Sequence, residues 1–272
     1  MDPQLSLVCL DNDFKKPLNK VKKPFIQTTT KRPKLPDIDT SLLSCGKTFE
    51  EAPFPFQAQI KVLQDRVSKH VCSGAILTEK HILTSASCLV NNPLKHYIVV
   101  VGQNDLLELD EWEEEFSVQS IFTHDNYDDL SGENDIALVK LKKRRGNYIE
   151  FSDYVQPICL PFKNQENLDD FCEVSGWGSW NSDPDSTLSG QNVNLDLTCD
   201  LQGTICVENP SATSQRDFNF DDGMPLSCKS SQRSFLRGLH AKKIDPCQQG
   251  CPMMKFLEIS DYLDWINARL AL

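Results

Sequence analysis

Val71-Cys-Ser-Gly-Ala-Ile-Leu-Thr-Glu-Lys-His-Ile-Leu-Thr-Ser-Ala-Ser-Cys88 is the most informative stretch of this 272-residue chain. Its two cysteines belong to a set of eleven, a density that points to an oxidising compartment, because reducing cytosol does not sustain structural disulfides. Short runs rich in Val, Ile and aromatic residues lie on either side: Phe56–Leu63 before it, Tyr97–Val101 and Phe116–Phe122 after it. Each is bounded by turn-forming residues, the pattern of successive β-strands. Only the end reads as helix, where Tyr262, Leu263, Trp265, Ile266 and Leu270 recur at three- and four-residue spacing within Ile259–Leu270. Strands closed by one C-terminal helix suit several all-β folds, so periodicity stops at fold class.

Ordered motifs go further. The stretch Val71–Cys88 resembles the segment of trypsin-like serine proteases that leads into their catalytic histidine. Glu133-Asn-Asp-Ile-Ala-Leu-Val-Lys-Leu141 resembles the strand that carries their aspartate, and Asp153-Tyr-Val-Gln-Pro-Ile-Cys-Leu-Pro161 their interdomain connector. Cys172-Glu-Val-Ser-Gly-Trp-Gly178 and Asp261-Tyr-Leu-Asp-Trp-Ile266 complete the series in the family's order. The resemblance covers residues 45–272. It implies two six-stranded antiparallel β-barrels with a cleft between them, and disulfides pairing Cys72 with Cys88, Cys45 with Cys159, Cys172 with Cys228 and Cys199 with Cys206. Cys247 and Cys251 sit close together and are expected to pair with each other, which leaves Cys9 as the odd thiol.

The family's chemistry needs a nucleophilic hydroxyl, an imidazole to take its proton, a carboxylate to orient that imidazole, and an oxyanion hole of backbone N–H groups. Its histidine stands immediately before the second cysteine of the first motif; here the residue is Ser87, whose hydroxyl cannot serve as a general base near neutral pH. The nucleophile motif Gly-Asp-Ser-Gly-Gly-Pro corresponds to Phe220-Asp-Asp-Gly-Met-Pro225, which puts Asp222 at the serine and Phe220 and Met224 at glycines. Asp135 alone of the triad positions keeps its residue type. As a buried carboxylate it needs partners, and Ser87 or trapped water is expected to donate to it. Active relatives are cut ahead of an Ile-Val-Gly-Gly-like segment, whose ammonium pairs with the aspartate matching Asp221. Between Cys45 and Phe54 this chain reads Gly-Lys-Thr-Phe-Glu-Glu-Ala-Pro, so Asp221 has no evident ammonium to meet. Ala241-Lys242-Lys243 stands at the family's Ser-Trp-Gly substrate strand, which implies an obstructed cleft.

The five histidines His70, His81, His96, His124 and His240 show no metal-ligand spacing; of these, His240 alone is expected near the cleft. Asp105, Glu108, Asp110, Glu111 and Glu113–Glu115 fall in the loop where some family members bind calcium. Carboxylates suit that ion, but Gln103 replaces the first family ligand, and a solvated acidic face is the stronger expectation, with electrostatic docking of a basic partner or of this chain's own tail as an alternative use.

Composition sets the remaining bounds. Net charge is -11, but residues 15–36 hold eight of the 28 Lys and Arg and no acid, which leaves 20 basic against 39 acidic residues elsewhere. Residues 1–44 therefore read as a basic, Pro- and Lys-rich segment without periodicity, expected to be disordered, ahead of an acidic trypsin-like domain at 45–272. The acidic body disfavours nucleic acid, and no uninterrupted apolar run reaches the roughly 18 residues of a membrane span. Met1–Lys23 offers only Leu5–Leu10, broken by Ser6, with no signal-peptide core; the expectation is a fragment lacking its leader. The sequence thus reads as a secreted, non-catalytic serine protease homologue that binds a protease, a protease substrate or another cascade component, with no cofactor. Its connector is reminiscent of invertebrate members, which favours innate-immune or clotting cascades. The alternatives are residual serine-type hydrolysis and a growth-factor-like or carrier role.

Overall fold

The computed structural model describes residues 45–162, 171–177, 186–196, 203–208, 221–230, 233–241 and 253–272. The segment 1–44 with Cys9, the proposed pair Cys247–Cys251, and Cys199, Phe220, Lys242 and Lys243 lie outside them. No described helix is long and apolar enough to cross a membrane.

Six antiparallel strands close into a barrel in the order β1-β2-β3-β6-β5-β4. They are β1 (Gln57–Gln64), β2 (Val67–Thr78), β3 (His81–Thr84), β4 (Tyr97–Val101), β5 (Glu114–Thr123) and β6 (Ala137–Leu141). The three strand runs read from sequence correspond to β1, β4 and β5. Asp65 and Arg66, both at positive φ (50° and 66°), make the two-residue turn between β1 and β2, where Gln64 faces Val67. That sense of turn matches the twist of paired strands. Inward-facing Ile60, Ile76, Ile82, Tyr97, Val99 and Phe116 fill the barrel.

The second half is a seven-stranded sheet among the described residues, in the order β8-β7-β11-β12-β13-β10-β9. Its members are β7 (Cys172–Gly176), β8 (Ser189–Val193), β9 (Leu195–Asp196), β10 (Thr204–Glu208), β11 (Pro225–Ser230), β12 (Arg233–His240) and β13 (Met253–Glu258). The two edge strands β8 and β9 are consecutive pieces of one stretch, separated by Asn194. The sheet is therefore a half-barrel by its hydrogen bonds, and its two edges are linked through the chain rather than by a strand ladder. A 3₁₀ turn at Ile259–Tyr262 leads into α1 (Leu263–Leu270). Its buried face, Leu263 and Ile266, joins an apolar cluster with Phe56, Leu83 and Leu138 of the barrel half and Leu236 and Leu257 of the sheet. Burial of this shared apolar face holds the two halves together.

Three of the expected disulfides are formed: Cys72–Cys88, Cys45–Cys159 and Cys172–Cys228. The last joins residues directly opposite each other on β7 and β11. Cys206 is also disulfide-bonded.

Candidate functional site

The β3–β6 ladder sets the first part of the site. Thr84 pairs with Ala137, so the chain leaving β3 and the chain entering β6 meet at one end of the barrel. Ser87 opens a 3₁₀ turn just beyond β3, and Asp135 sits just ahead of β6. The backbone N–H of Ser87 donates to Asp135 Oδ1 at 2.7 Å. The expected donation by Ser87 comes most directly from its main chain; its hydroxyl, 3.4 Å from Ser85 Oγ, also favours the Asp135 anion. Asp135 is fully buried, and its second oxygen, Oδ2, has no hydrogen-bond partner. Burial pushes its carboxyl pKa up; donors from Ser87 and Ala86 oppose that only in part, and the negative charge of Asp222 adds to it.

The second part is the turn 221–224 between the halves. The N–H of Ser73, on β2, donates to the Asp222 carbonyl at 2.9 Å, and the N–H groups of Gly223 and His240 donate to the carbonyls of His240 and Met224 at 2.9 and 2.8 Å. Gly223 has φ of 75° and lies so close to Ser73 O and Thr84 Oγ1 that a Cβ would collide with both; only glycine fits there. These bonds stitch the turn to β2 on one side and to β12 on the other. The Asp222 side chain is left at the surface of the cleft, 4.0 Å from His240 Nδ1. The His240 ring is itself buried, edge-on to Phe256. His240 does approach the cleft, as expected.

Asp221 points the other way. Its Oδ2 accepts from Ser73 Oγ at 3.0 Å and lies 3.0 Å from His70 Nε2. This close approach favours the Asp221 anion, by hydrogen bonding ahead of charge. His70 in turn packs edge-on to Trp177. Burial pushes the Asp221 carboxyl up, but His70, Ser73 and the Trp177 backbone outweigh it and hold the net pKa below the ordinary carboxylate value.

Three carboxylates of the acidic loop have protein partners. Asp110 Oδ2 accepts from the N–H groups of Asn104 and Asp105 at 2.6 and 3.0 Å, and Asp105 Oδ1 accepts from Leu107 N at 2.9 Å. Glu113 lies within 3.9 Å of Lys61 Nζ and accepts from Gln103 at 3.3 Å. Among the described residues no three His, Cys, Asp or Glu side chains converge as a metal site.

The trypsin family model matches residues 44–266. Chymotrypsin-C of Bos taurus is 31% identical over 236 residues, covering 80% of this chain and 85% of its own. Chymotrypsin-C of Rattus norvegicus is 26% identical, over 87% of this chain and 91% of its own. Urokinase-type plasminogen activator of Gallus gallus is 28% identical over 74% of this chain and 51% of its own.

The chain belongs to the trypsin family.

On this trypsin-family frame, Ser87, Asp135 and Asp222 come together at the junction of the halves: Ser87 is bonded to Asp135, and the Asp222 charge bears on both Asp135 and Tyr127. Sequence reading missed the partners of Asp221, treating His70 as an ordinary strand residue and leaving Ser73 and Trp177 out. A signal was available. Asp221 stands at the family's aspartate that meets a new ammonium, and such a carboxylate requires donors or a cation; His70 and Ser73 lie on either side of Cys72 on β2.

Proposed function

We propose that this domain is a non-catalytic serine protease homologue that binds a protease, a protease substrate or another component of an extracellular proteolytic cascade, as cofactor, decoy or regulator. The observation that carries the reading is the occupant of the site facing Asp135. Ser87 brings a hydroxyl and no imidazole there, and Asp135 Oδ2 has no hydrogen-bond partner, whereas acyl-transfer chemistry requires an imidazole that can take and return a proton. Asp222 brings a carboxylate rather than a hydroxyl to the neighbouring position, and a carboxylate that already carries negative charge there opposes the build-up of charge in a tetrahedral intermediate. Asp221 draws its partners from His70 and Ser73, so its charge is met without a new N-terminal ammonium. The formed disulfides support an oxidising, extracellular setting. Loops on such a rigid frame can serve recognition without chemistry.

The test is hydrolysis of a broad peptide library by the purified protein, freed of contaminating protease, beside Asp222→Ala. The expected outcome is no turnover above a buffer control in either protein, with no labelling by a serine-directed hydrolase probe. Turnover by the parent that disappears in a folded Asp222→Ala variant would overturn the proposal in favour of altered hydrolysis, with His240 beside Asp222 as the group to examine.

A further inference from the structure

Five of the six residues from Lys140 to Arg145 are basic, and no acid stands between Asp135 and Glu150. The run begins at the end of β6 and leaves the barrel there, so it lies at the opposite end of that strand from the Ser87–Asp135 pair. It interrupts an acidic body: outside residues 15–36 the chain has 20 basic against 39 acidic residues.

The backbone under the run is fixed. The N–H of Lys142 donates to the Ser117 carbonyl at 2.8 Å, which extends the β5–β6 pairing past the strand. Arg144 and Asn147 exchange both main-chain bonds, at 2.8 and 3.0 Å, and between them Arg145 and Gly146 take φ of 52° and 97°. That is the two-residue turn of a hairpin, and residues 142–147 are all exposed on it. A partner meeting this tip has side chains to order but no loop, which lowers the entropy lost on binding.

Few of these charges are neutralised. Lys142 and Arg145 have no carboxylate partner among the described residues. Arg144 lies 3.7 Å from Glu114 with both side chains exposed, a pair of little strength in water. Lys143 sits over the Tyr148 ring, 5.3 Å from its centroid. Glu150, the next acid along the chain, accepts from Asn147 Nδ2 at 2.7 Å. The excess positive charge is felt inside the barrel, where Lys80 and Lys140 both lower the pKa of buried His81, behind burial itself. Like charges crowded on consecutive residues repel, and an anion laid along them removes the repulsion.

We infer that the Lys140–Asn147 hairpin is a docking surface for a linear sulfated polysaccharide. This partner suits the oxidising, extracellular setting proposed above from the disulfides; the inference rests on that setting, and not on whether the domain cuts peptide bonds. Sulfate groups stay ionised and offer several acceptor oxygens each, which match the planar donor forks of Arg144 and Arg145, and Lys142 and Lys143 add point charges. A thin chain can follow the hairpin and avoid the carboxylates elsewhere on the domain. A flat anionic membrane would press against that acidic body, and the tip has no aliphatic side chain to insert, since Leu141 and Ile149 beside it are buried.

The experiment titrates the full chain, labelled for NMR, with a heparin-derived decasaccharide, with the same oligosaccharide after desulfation, and with phosphatidylserine vesicles, all at physiological salt. The backbone amides of Gly146 and Asn147 are followed, because they separate binding at the hairpin from binding at the basic residues 15–36. Saturable shifts of both amides are expected with the sulfated oligosaccharide, and none with the desulfated one or the vesicles. Lys142→Glu combined with Arg145→Glu, both at exposed positions, should weaken binding read at those amides by roughly tenfold or more, the effect of two lost rim charges. Lys69→Glu, at the end of β2 remote from Lys80, makes the same kind of charge change and should alter it less than about twofold. The inference is overturned if the two amides do not saturate, if the folded double variant keeps its affinity, or if the desulfated sugar or the vesicles shift these amides as the sulfated one does.

Discussion

Asp135, fully buried, and Asp221, partly exposed, are two aspartates at the junction of the same two halves, yet their surroundings drive their acidities in opposite directions. Asp221 has the Ser73 hydroxyl, the His70 imidazole and the Trp177 backbone around it, and its pKa is held below the ordinary value. Asp135 has a short bond to Ser87 on one oxygen, none on the other, and the charge of Asp222 nearby, and its pKa is raised. Burial is the largest influence on both. The number and sign of the neighbours, not depth, separate a carboxylate that stabilises the fold as an anion from one that the fold carries at a cost. The Asp221 side of the junction is a completed electrostatic unit, whereas the Asp135 side is missing a partner.

The largest effect expected from this difference is at His70. His70→Ala removes the ring nearest the Asp221 carboxylate and should destabilise the protein by about 1–3 kcal/mol in chemical denaturation. A loss under about 1 kcal/mol would mean that Ser73 and the backbone suffice, and the contrast with Asp135 would narrow.

Acid titration of stability sharpens the comparison next. The depressed Asp221 carboxyl contributes stability that is present above its unfolded-state pKa and is lost as pH falls through its lower folded value. His81 adds a separate limb. It is buried beside Lys80 and Lys140, and burial first, then those charges, lower its pKa from 6.5 to about 4. Between those values the unfolded chain binds more protons, so stability should fall as pH drops from 6.5 to about 4, by roughly 2–3 kcal/mol. His81→Gln should flatten that limb and leave the more acidic one to Asp221 and other carboxylates. A slope between pH 6.5 and 4 that is unchanged in this variant would remove His81 as its source.

Asp135→Asn keeps an acceptor for the Ser87 N–H and removes the strained charge. It should leave the melting temperature unchanged or raise stability by about 1 kcal/mol at neutral pH. A clear loss would show that the Asp135 anion is better solvated than its neighbours indicate. Smallest of all, Arg269→Ala breaks the pair with the exposed Asp125, 2.7 Å away, and should cost no more than about 0.5 kcal/mol, a baseline for carboxylates that never leave water.

Much of the molecule was legible before its shape was known. The strand runs at 56–63, 97–101 and 116–122 correspond to β1, β4 and β5 because half-buried strands must alternate or cluster their apolar residues. The helix expected over 259–270 forms as α1 from 263, its first turn being 3₁₀. The disulfides Cys72–Cys88, Cys45–Cys159 and Cys172–Cys228 follow the pairing that the family resemblance implied. The expected all-β, trypsin-like architecture is present, and the second half was less legible only in detail: among the described residues β8 and β9 divide one stretch at Asn194 between the two edges of a half-barrel sheet. A break of one residue leaves no mark in composition.

The sequence by itself determined the family, the β architecture and which residue types stand at 87, 135 and 222, because local motifs and short-range periodicity are written in the order of residues. Only the tertiary structure decided that Ser87 meets Asp135 through its backbone, that His70 and Ser73 hold Asp221, and that Lys80 and Lys140 both bear on the buried His81. These groups lie tens of residues apart in the chain, and strand register brings them within ångströms. Burial and charge, which fix their chemistry, are properties of that enclosure rather than of the residues alone.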